Sequence, residues 1–201
     1  MAIKGNELVE KKNVLNEIRS NNMTLQELRF FSIYLSKINA RDINTRVVRF
    51  PLSDFQKIME IGRMNIKHFK EVADSLLCNV VHIPLDTGGL SCFQLFKECT
   101  LNQNEFGEWF IEIDAHDKAL PLMFDFKAKY FTYELWNALR LKSANQVRMY
   151  EILKQYEKSG ERKLSLSELR SLLGIAQDEY PRWNNFKARV IDSCQESLLE
   201  N

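Results

Sequence analysis

Apolar positions spaced three and four residues apart predict the helices of the first part of the chain. Three such runs occur, at Leu28–Ile38, Leu52–Ile61 and Ile66–Leu77. The first run follows Thr24 and Glu27, whose three-residue separation is that of a capping box, so a helix is predicted to begin directly after Thr24. Because Phe30 and Ile33 widen its apolar face, this helix is expected to be buried on more than one side.

Segments with a strand-like pattern lie between and after these helices. They are Arg46–Phe50, Val80–Ile83, Cys92–Phe96 and Trp109–Ile113. The turn residues Asp86–Gly89 separate the second segment from the third, which predicts a β-hairpin. Helix, strand, helix, turn, helix and hairpin is the order of a winged helix-turn-helix domain.

The second part of the chain begins this order again. Arg148–Leu153 parallels Arg29–Tyr34 at an offset of 119. A second capping box, at Ser165 and Glu168, opens a run that parallels Leu52–Phe55 at an offset of 114, and beyond it the offset is 117 or 118. A repeat of this length indicates two copies of one supersecondary unit. We therefore predict an α+β fold with two tandem winged helix-turn-helix domains.

The two copies predict domains at residues 1–127 and 128–201, joined by a short linker between Phe126 and Tyr130. A linker of this length is expected to make the domains pack together. The second copy reaches Asn201 at the end of its third helix, where the first copy continues into its hairpin. We therefore expect a second domain that lacks its C-terminal wing, in a sequence trimmed from a longer one.

The composition narrows the class of protein. Hydrophobic residues make up 45% of the chain, enough for a packed core, whereas seven Gly and four Pro are few for a barrel of tight turns or for a glycine-rich phosphate loop. No apolar run approaches the roughly 20 residues of a membrane span, and residues 1–7 lack an apolar signal-peptide core. A soluble, cytoplasmic protein without a membrane partner is expected.

Motifs of catalysis and metal binding are scarce. The four cysteines form no C-x-x-C pair, and the three histidines are not near them at zinc-ligand spacing, so reduced thiols are expected, with no metal and no cofactor. The P-loop, H-E-x-x-H and G-x-S-x-G motifs do not occur in the sequence. We expect a binding protein rather than an enzyme.

Charge is balanced overall, at +1, but unevenly placed. Residues 1–126 have a net charge of −2 and residues 127–201 one of +3, with nine basic against four acidic side chains between Lys127 and Lys163. The second copy is therefore predicted to face DNA. Acidic residues concentrate between Cys99 and Asp125, and the strand Trp109–Ile113 is predicted to be an uncovered edge through which the first copy dimerises.

A helix-turn-helix places its second helix in the major groove, where Arg and Lys pair with guanine and Asn with adenine. In the second copy this helix is predicted over Trp183–Leu199, and its core-facing residues are Phe186, Val190, Ile191 and Cys194. The candidates left for DNA are Arg182, Asn184, Asn185, Lys187 and Arg189. For any single Lys or Arg among them a solvated helix face is the better explanation, but the cluster in this order of elements favours DNA contact.

Four further candidates lie at the start of the preceding long helix. They are Lys142, Ser143, Asn145 and Arg148. A helix N-terminus presents backbone N–H groups to phosphates, and nearby cations add to the attraction. Ser143 is expected to cap this helix in either case, and Arg148 has the alternative of pairing internally with Glu151 or Glu168.

Several segments also carry a family resemblance, most specifically the long helix and the recognition helix. These segments are Asn6–Val9, Thr24–Arg29, Ser36–Asp42, Phe131–Thr132, Leu141–Ser143, Arg148–Tyr156, Tyr180, Arg182, Phe186–Lys187 and Arg189–Val190. Over nearly the whole chain, the sequence resembles the iteron-binding replication initiators of bacterial plasmids, the Rep proteins with two winged-helix domains.

The resemblance implies that the C-terminal winged helix reads repeated origin sites (iterons) through Arg182, Lys187 and Arg189, with Ala188 standing where relatives often have another basic residue. It implies an N-terminal winged helix that mediates dimerisation and touches adjacent DNA more weakly. The function expected from it is initiation of plasmid replication without catalysis, by helping to open the origin and recruiting the host initiator and replicative helicase, with the dimer as autorepressor. A winged-helix transcription regulator is the alternative, and direct repeats beside an A·T-rich segment near the gene would separate the two.

Overall fold

The computed structural model describes residues 7–17, 23–58, 65–125 and 127–200. The end of the predicted helix Leu52–Ile61, from Met59 onward, and Phe126 at the predicted linker lie outside these ranges. Within the described ranges, no helix is long and apolar enough to cross a membrane.

The first copy begins with a short strand, β1 (Leu8–Lys12), and a short helix, α1 (Asn13–Glu17), which the sequence patterns did not predict. Helix α2 (Leu25–Lys37) follows, and the predicted capping box opens it. Glu27 N donates to Thr24 Oγ1 at 3.3 Å, and Thr24 N donates to Glu27 Oε2 at 2.6 Å. Residues 27–35 are all buried, so α2 lies at the centre of the first copy, as its widened apolar face predicted.

A three-stranded sheet and a two-stranded wing pack around α2. The elements are β2 (Val47–Pro51), α3 (Leu52–Ile58), α4 (Ile66–Leu77), β3 (Val80–Pro84), β4 (Leu90–Gln94), β5 (Phe96–Gln103), β6 (Trp109–Ala115) and α5 (Leu120–Met123). Strands β3 and β4 form the predicted hairpin, and the larger antiparallel sheet has the order β2-β6-β5. Phe30 of α2 meets Phe50, Phe55 and Phe96 edge to face, so β2, α3 and β5 all close on this helix.

The order of this sheet contradicts the prediction that Trp109–Ile113 is an uncovered edge. Strand β6 is central, paired with β2 on one side and β5 on the other. Two of its acidic residues are paired with β2 or the turn before it, since Arg49 Nη2 donates to Glu112 at 2.7 Å and Arg46 Nε donates to Asp114 at 2.6 Å. A strand bonded on both sides has no ladder groups left for a second copy, so the edges of this sheet are β2 and β5.

The second copy repeats the helices of the first. Its elements are β7 (Tyr130–Glu134), α6 (Leu135–Leu139), α7 (Ala144–Gln155), α8 (Leu166–Leu173), α9 (Trp183–Phe186), a π-helical segment (Lys187–Asp192) and α10 (Ser193–Leu199). Helices α7, α8 and α9 begin 119, 114 and 117 residues after α2, α3 and α4, which confirms the repeat. The predicted capping box at Ser165 and Glu168 opens α8. The pair β7–α6 likewise follows β1–α1 by 122 residues, an extension of the repeat that the sequence patterns did not show.

Two apolar cores are present in the described residues. The larger extends from Val9 to Val147, and the smaller one consists of Ile152, Leu173, Ile175, Phe186 and Val190. Because β1 pairs with β7, the residues directly after the predicted linker pack into the larger core. The domain boundary at residue 127 stays a prediction.

Candidate nucleic-acid interface

The predicted recognition helix is one continuous helical stretch over residues 183–199, and its middle is π-helical. Phe186, Val190 and Cys194 are four residues apart and at most 2% exposed, and Ile191 is half-buried, as predicted. Residues four apart in an α-helix are rotated by about 40°, because each residue turns about 100°. The wider i→i+5 turns of the π segment offset this rotation, so the three buried side chains stay in line and the polar residues between them face outward.

All five candidates at the start of this helix are exposed: Arg182, Asn184, Asn185, Lys187 and Arg189. Lys187 Nζ donates to both carboxylate oxygens of Asp192, at 2.7 and 2.8 Å. This ion pair lies on the surface, where such pairs contribute at most about 1 kcal/mol, so a phosphate can displace it. Within the described part of the chain, no hydrogen bond or ion pair occupies the side chains of Arg182 and Arg189. The surface therefore presents two guanidinium groups and two amides that are ready to bind.

Arg170 of α8 organises the turn before this helix, a role that the sequence patterns did not predict. Its side chain is buried, and its guanidinium donates to three carbonyl oxygens of the turn, those of Ala176 (3.1 Å), Glu179 (2.7 Å) and Tyr180 (2.8 Å). The same guanidinium lies 4.4 Å from the ring centroid of Phe186, the first buried residue of the recognition helix. One side chain thus ties the turn to the helix that follows it. The sequence signal that could have found it is its position on the predicted helix, where Leu166 lies four residues before it and Leu173 three residues after it on the same face.

The start of α7 lies beside the other end of the recognition helix. Ser143 caps α7 as predicted, with its Oγ accepting from Gln146 N at 3.2 Å. Gln146 Nε2 donates to Ser197 Oγ of α10 at 2.7 Å. Lys142 is exposed there and Asn145 is half-exposed. At about 1.5 Å of rise per residue, this end lies about 20 Å from the first turn of the recognition helix, or about six base pairs along B-DNA.

Arg148 belongs neither to the exposed candidates of the recognition helix nor to the exposed candidates at the start of α7. It is only 8% exposed, and its guanidinium donates to the Glu151 carboxylate (3.1 Å) and to the carbonyl oxygens of Asn16 (2.8 Å) and Leu172 (3.1 Å). The internal pairing with Glu151 is therefore the alternative that the structure shows. The prediction that Arg148 contacts DNA is therefore wrong, because a guanidinium bonded inside the protein is not presented to a ligand. A signal was available: the equivalent residue of the first copy is also an arginine, Arg29, which points to a structural role common to both copies.

Trp183 adds an aromatic surface that the sequence patterns did not assign. Its side chain is 52% exposed and stacks on Phe186, with ring centroids 6.1 Å apart. It lies between the candidates Arg182 and Asn184 in sequence, at the first turn of the recognition helix. An exposed aromatic ring beside these polar candidates has the chemistry for apolar contact with a thymine methyl group.

The fold and this surface define a protein of two winged-helix domains with an exposed recognition helix. Residues 8–154 match the family model for the WH1 domain of the Initiator Replication protein, and residues 165–201 match that for the WH2 domain of the Initiator Rep protein. The chain therefore belongs to the initiator Rep protein family. The family and the fold class expected from the sequence are confirmed.

One similar solved structure is described as the crystal structure of Pi initiator protein in complex with iteron DNA. The TM-score is 0.74 at 16% sequence identity, and the match covers 98% of this chain and 88% of that chain. At this identity the likeness shows a shared fold. No curated protein matches this chain in sequence.

Proposed function

We propose that this chain initiates plasmid replication by binding repeated origin sites (iterons) in double-stranded DNA with the first turns of its recognition helix. Exposed polar and basic side chains at residues 182–189, on a helix fixed by Arg170, support this function most directly. Membership of the initiator family supports it further, as does the shared fold with an initiator that is in complex with iteron DNA.

The contacts in this proposal divide by chemistry. Arg182 and Arg189 donate pairs of hydrogen bonds to guanine edges, while Asn184 and Asn185 pair with adenine. Lys142 and the N-terminus of α7, at the far end of the recognition helix, take a phosphate of the DNA backbone and so fix the register of the helix in the groove. The protein acts by binding alone, without a catalytic group, a metal or a cofactor.

The remaining expectations belong to the same proposal. The protein works in the cytoplasm, helps the origin duplex to open, and recruits the host initiator and the replicative helicase. A homodimer represses the protein's own promoter and so contributes to control of plasmid copy number. The two edge strands of the first copy, β2 and β5, support dimerisation there, because no strand among the described residues pairs with their outer edges.

Selection from a pool of random duplexes on the immobilised protein tests the function. We expect the enriched sequence to recur as direct repeats beside A·T-rich DNA near the gene. A single palindromic site in the gene's promoter would favour a transcription regulator instead. If no sequence is enriched, both functions are contradicted.

The reading surface is tested by fluorescence anisotropy with the enriched duplex and a random duplex. Arg182→Ala and Arg189→Ala should each weaken specific binding by about 1–3 kcal/mol, because each removes a base-edge contact. Arg49→Ala is the matched control, an exposed arginine on the sheet of the first copy, and should leave both affinities unchanged. Equal binding by the wild type and the Arg182→Ala/Arg189→Ala variant would contradict this placement of the surface.

A further inference from the structure

The two copies are joined by a two-stranded ribbon of approximate two-fold symmetry. Strands β1 and β7 pair antiparallel along their whole length. Equivalent bonds close the two ends of the ribbon, from Leu135 N to Glu7 O and from Asn13 N to Lys129 O, both at 2.8 Å. The short helix after each strand packs against the long helix of the other copy, α1 on α7 and α6 on α2.

Two equivalent arginines cross this junction in opposite directions. Arg29 on α2 and Arg148 on α7 occupy the same position of the repeat and are 7% and 8% exposed. Arg29 Nη2 donates to Leu141 O, just after α6, at 3.0 Å. Arg148 Nη2 donates to Asn16 O, in α1, at 2.8 Å. The long helix of each copy thus holds the short helix region of the other through a guanidinium.

A buried ion pair lies beside Arg148. Lys11 Nζ of β1 donates to both carboxylate oxygens of Glu151 on α7 at 2.8 Å, and Tyr133 OH donates to Glu151 Oε1 at 2.8 Å. Burial lowers the pKa of Lys11 to about 8 despite its pairing with Glu151. Burial also raises the pKa of Glu151, but Lys11 and Arg148 outweigh that effect and hold it below its ordinary value. The pair is therefore charged at neutral pH and spans both copies.

We call these four residues the junction network: Lys11, Arg29, Arg148 and Glu151. The β1–β7 ladder ties the two copies along one line, and the apolar contacts around it are non-directional, so ladder and apolar contacts alone would tolerate a small rotation of α7 about the ribbon. Hydrogen bonds from charged groups require donor and acceptor within about 3.2 Å and near-linear geometry. A rotation would leave buried charges without partners, which is strongly unfavourable. The junction network therefore holds one relative orientation of the two copies.

We infer that the junction network positions the two copies for DNA binding, by fixing the distance and angle between the recognition helix and its counterpart α4. It thereby sets the spacing between the two parts of a DNA site that one molecule can occupy. This inference rests on the proposed function. Helix α4 is suited to the second part of the site, because it exposes Lys67 and Lys70 at the equivalent place in the repeat.

Insertion of base pairs between the two parts of the site measures this constraint. Each inserted pair separates the parts by about 3.4 Å and rotates them by about 35° about the DNA axis. Footprinting of the wild-type protein on the enriched duplex first locates the two parts. An insertion of two base pairs should then weaken wild-type binding by about tenfold or more, because the phosphate contacts of one copy are lost.

Variants of the junction network should reduce this insertion penalty. Lys11→Met/Arg148→Met/Glu151→Leu replaces the charged groups by apolar ones of similar volume, an exchange that often preserves folding. This variant should still prefer the enriched duplex over random DNA. The insertion should cost it less than about threefold in affinity, since α7 is then held to the first copy only by the ribbon and by apolar contacts and can rotate about the ribbon. Arg148→Lys keeps the positive charge but loses the planar guanidinium, so its insertion penalty should lie between those of the wild type and the triple variant. It provides the test if the triple variant does not fold. Arg46→Met, which breaks ion pairs away from the junction, is the control and should show the wild-type penalty.

The outcomes separate this inference from the proposed function. A folded junction variant with the full wild-type insertion penalty would overturn the inference. So would a wild-type protein that prefers the enriched duplex but shows no insertion penalty, and the proposed function would then still stand. A wild-type protein that prefers no duplex at all would overturn the proposed function itself.

Discussion

Replacing Arg170 tests whether one buried side chain holds the reading surface in place. Arg170→Met keeps the apolar stem but removes three hydrogen bonds to the turn at residues 176–180 and the contact with the Phe186 ring. Arg170→Lys keeps the positive charge, but a single ammonium cannot reproduce the planar fork that reaches three carbonyl oxygens.

The expected loss follows from the contacts. A hydrogen bond contributes about 1 kcal/mol net, and more when its donor is charged, but the acceptors of Arg170 lie in a largely exposed turn where water replaces part of the loss. We therefore take about 1 kcal/mol for each bond and about 1 kcal/mol for the guanidinium over the buried ring. Arg170→Met should lower the free energy of unfolding by about 4 kcal/mol, and Arg170→Lys by about 2 kcal/mol because the ammonium keeps one bond and the ring contact.

Urea unfolding followed by circular dichroism measures the total loss, and amide hydrogen exchange over residues 174–199 locates it. Protection should fall first in the turn and in the first turns of the recognition helix. Affinity for the enriched duplex should fall as well, although Arg170 itself is buried. The control is Arg182→Met, an exposed change expected to alter the free energy of unfolding by less than about 0.5 kcal/mol while weakening DNA binding.

Stability and local protection are expected to fall together in Arg170→Met. If this variant shows wild-type exchange over residues 174–199 and loses less than about 1 kcal/mol, the turn is held by other contacts and the role given to Arg170 is refuted.

Three further outcomes are expected. Ser165→Ala removes the cap of α8 and should lower the free energy of unfolding by about 1 kcal/mol in thermal melts, whereas an unchanged melting temperature would show that the capping box contributes nothing. Because the pKa of Glu151 lies below its ordinary value of 4.5, its contribution to stability is present above pH 4.5 and is lost as the pH falls through the lowered pKa. Glu151→Gln should therefore reduce the loss of unfolding free energy on acidification. An identical loss in both proteins would contradict the role of the buried pair. If the first copy contacts phosphates through α4, Lys67→Ala/Lys70→Ala should reduce the slope of log affinity against log salt by about 1.8 without changing the preferred sequence, and an unchanged slope would show that these lysines face no phosphate.

The local elements followed from the sequence because the forces that form them are local. The capping boxes at Thr24 and Ser165 join residues three apart, and the helix periods report which side of each helix is apolar. The repeat offsets predicted the three helices of the second copy from residue spacing alone. The same periodicity placed Phe186, Val190 and Cys194 on the buried side of the recognition helix, and so left the polar candidates between residues 182 and 189 exposed.

The pairing of strands required the tertiary structure. The acidic alternation of Trp109–Ile113 looks the same whether a strand is central or at an edge, because alternation reports the two faces of a strand and not its lateral neighbours. Only the long-range pairing with β2 and β5 decided that β6 is central. The ribbon of β1 and β7, which joins residues more than 100 positions apart, had no local signature for the same reason.

The roles of the arginines were also decided by tertiary structure. Arg148, Arg170 and Arg182 are the same residue type in the second copy, and residue type alone does not distinguish an arginine that binds DNA from one that is bonded inside the protein. The fold surrounds Arg148 with the partners Glu151 and Asn16 and surrounds Arg170 with the carbonyl oxygens of a turn, while Arg182 stays at the surface. A long cationic side chain binds whichever acceptors the folded chain brings within reach. The sequence therefore determined that these charges exist and predicted that Arg182 faces outward, and only the tertiary structure showed that Arg148 and Arg170 are bonded inside the protein.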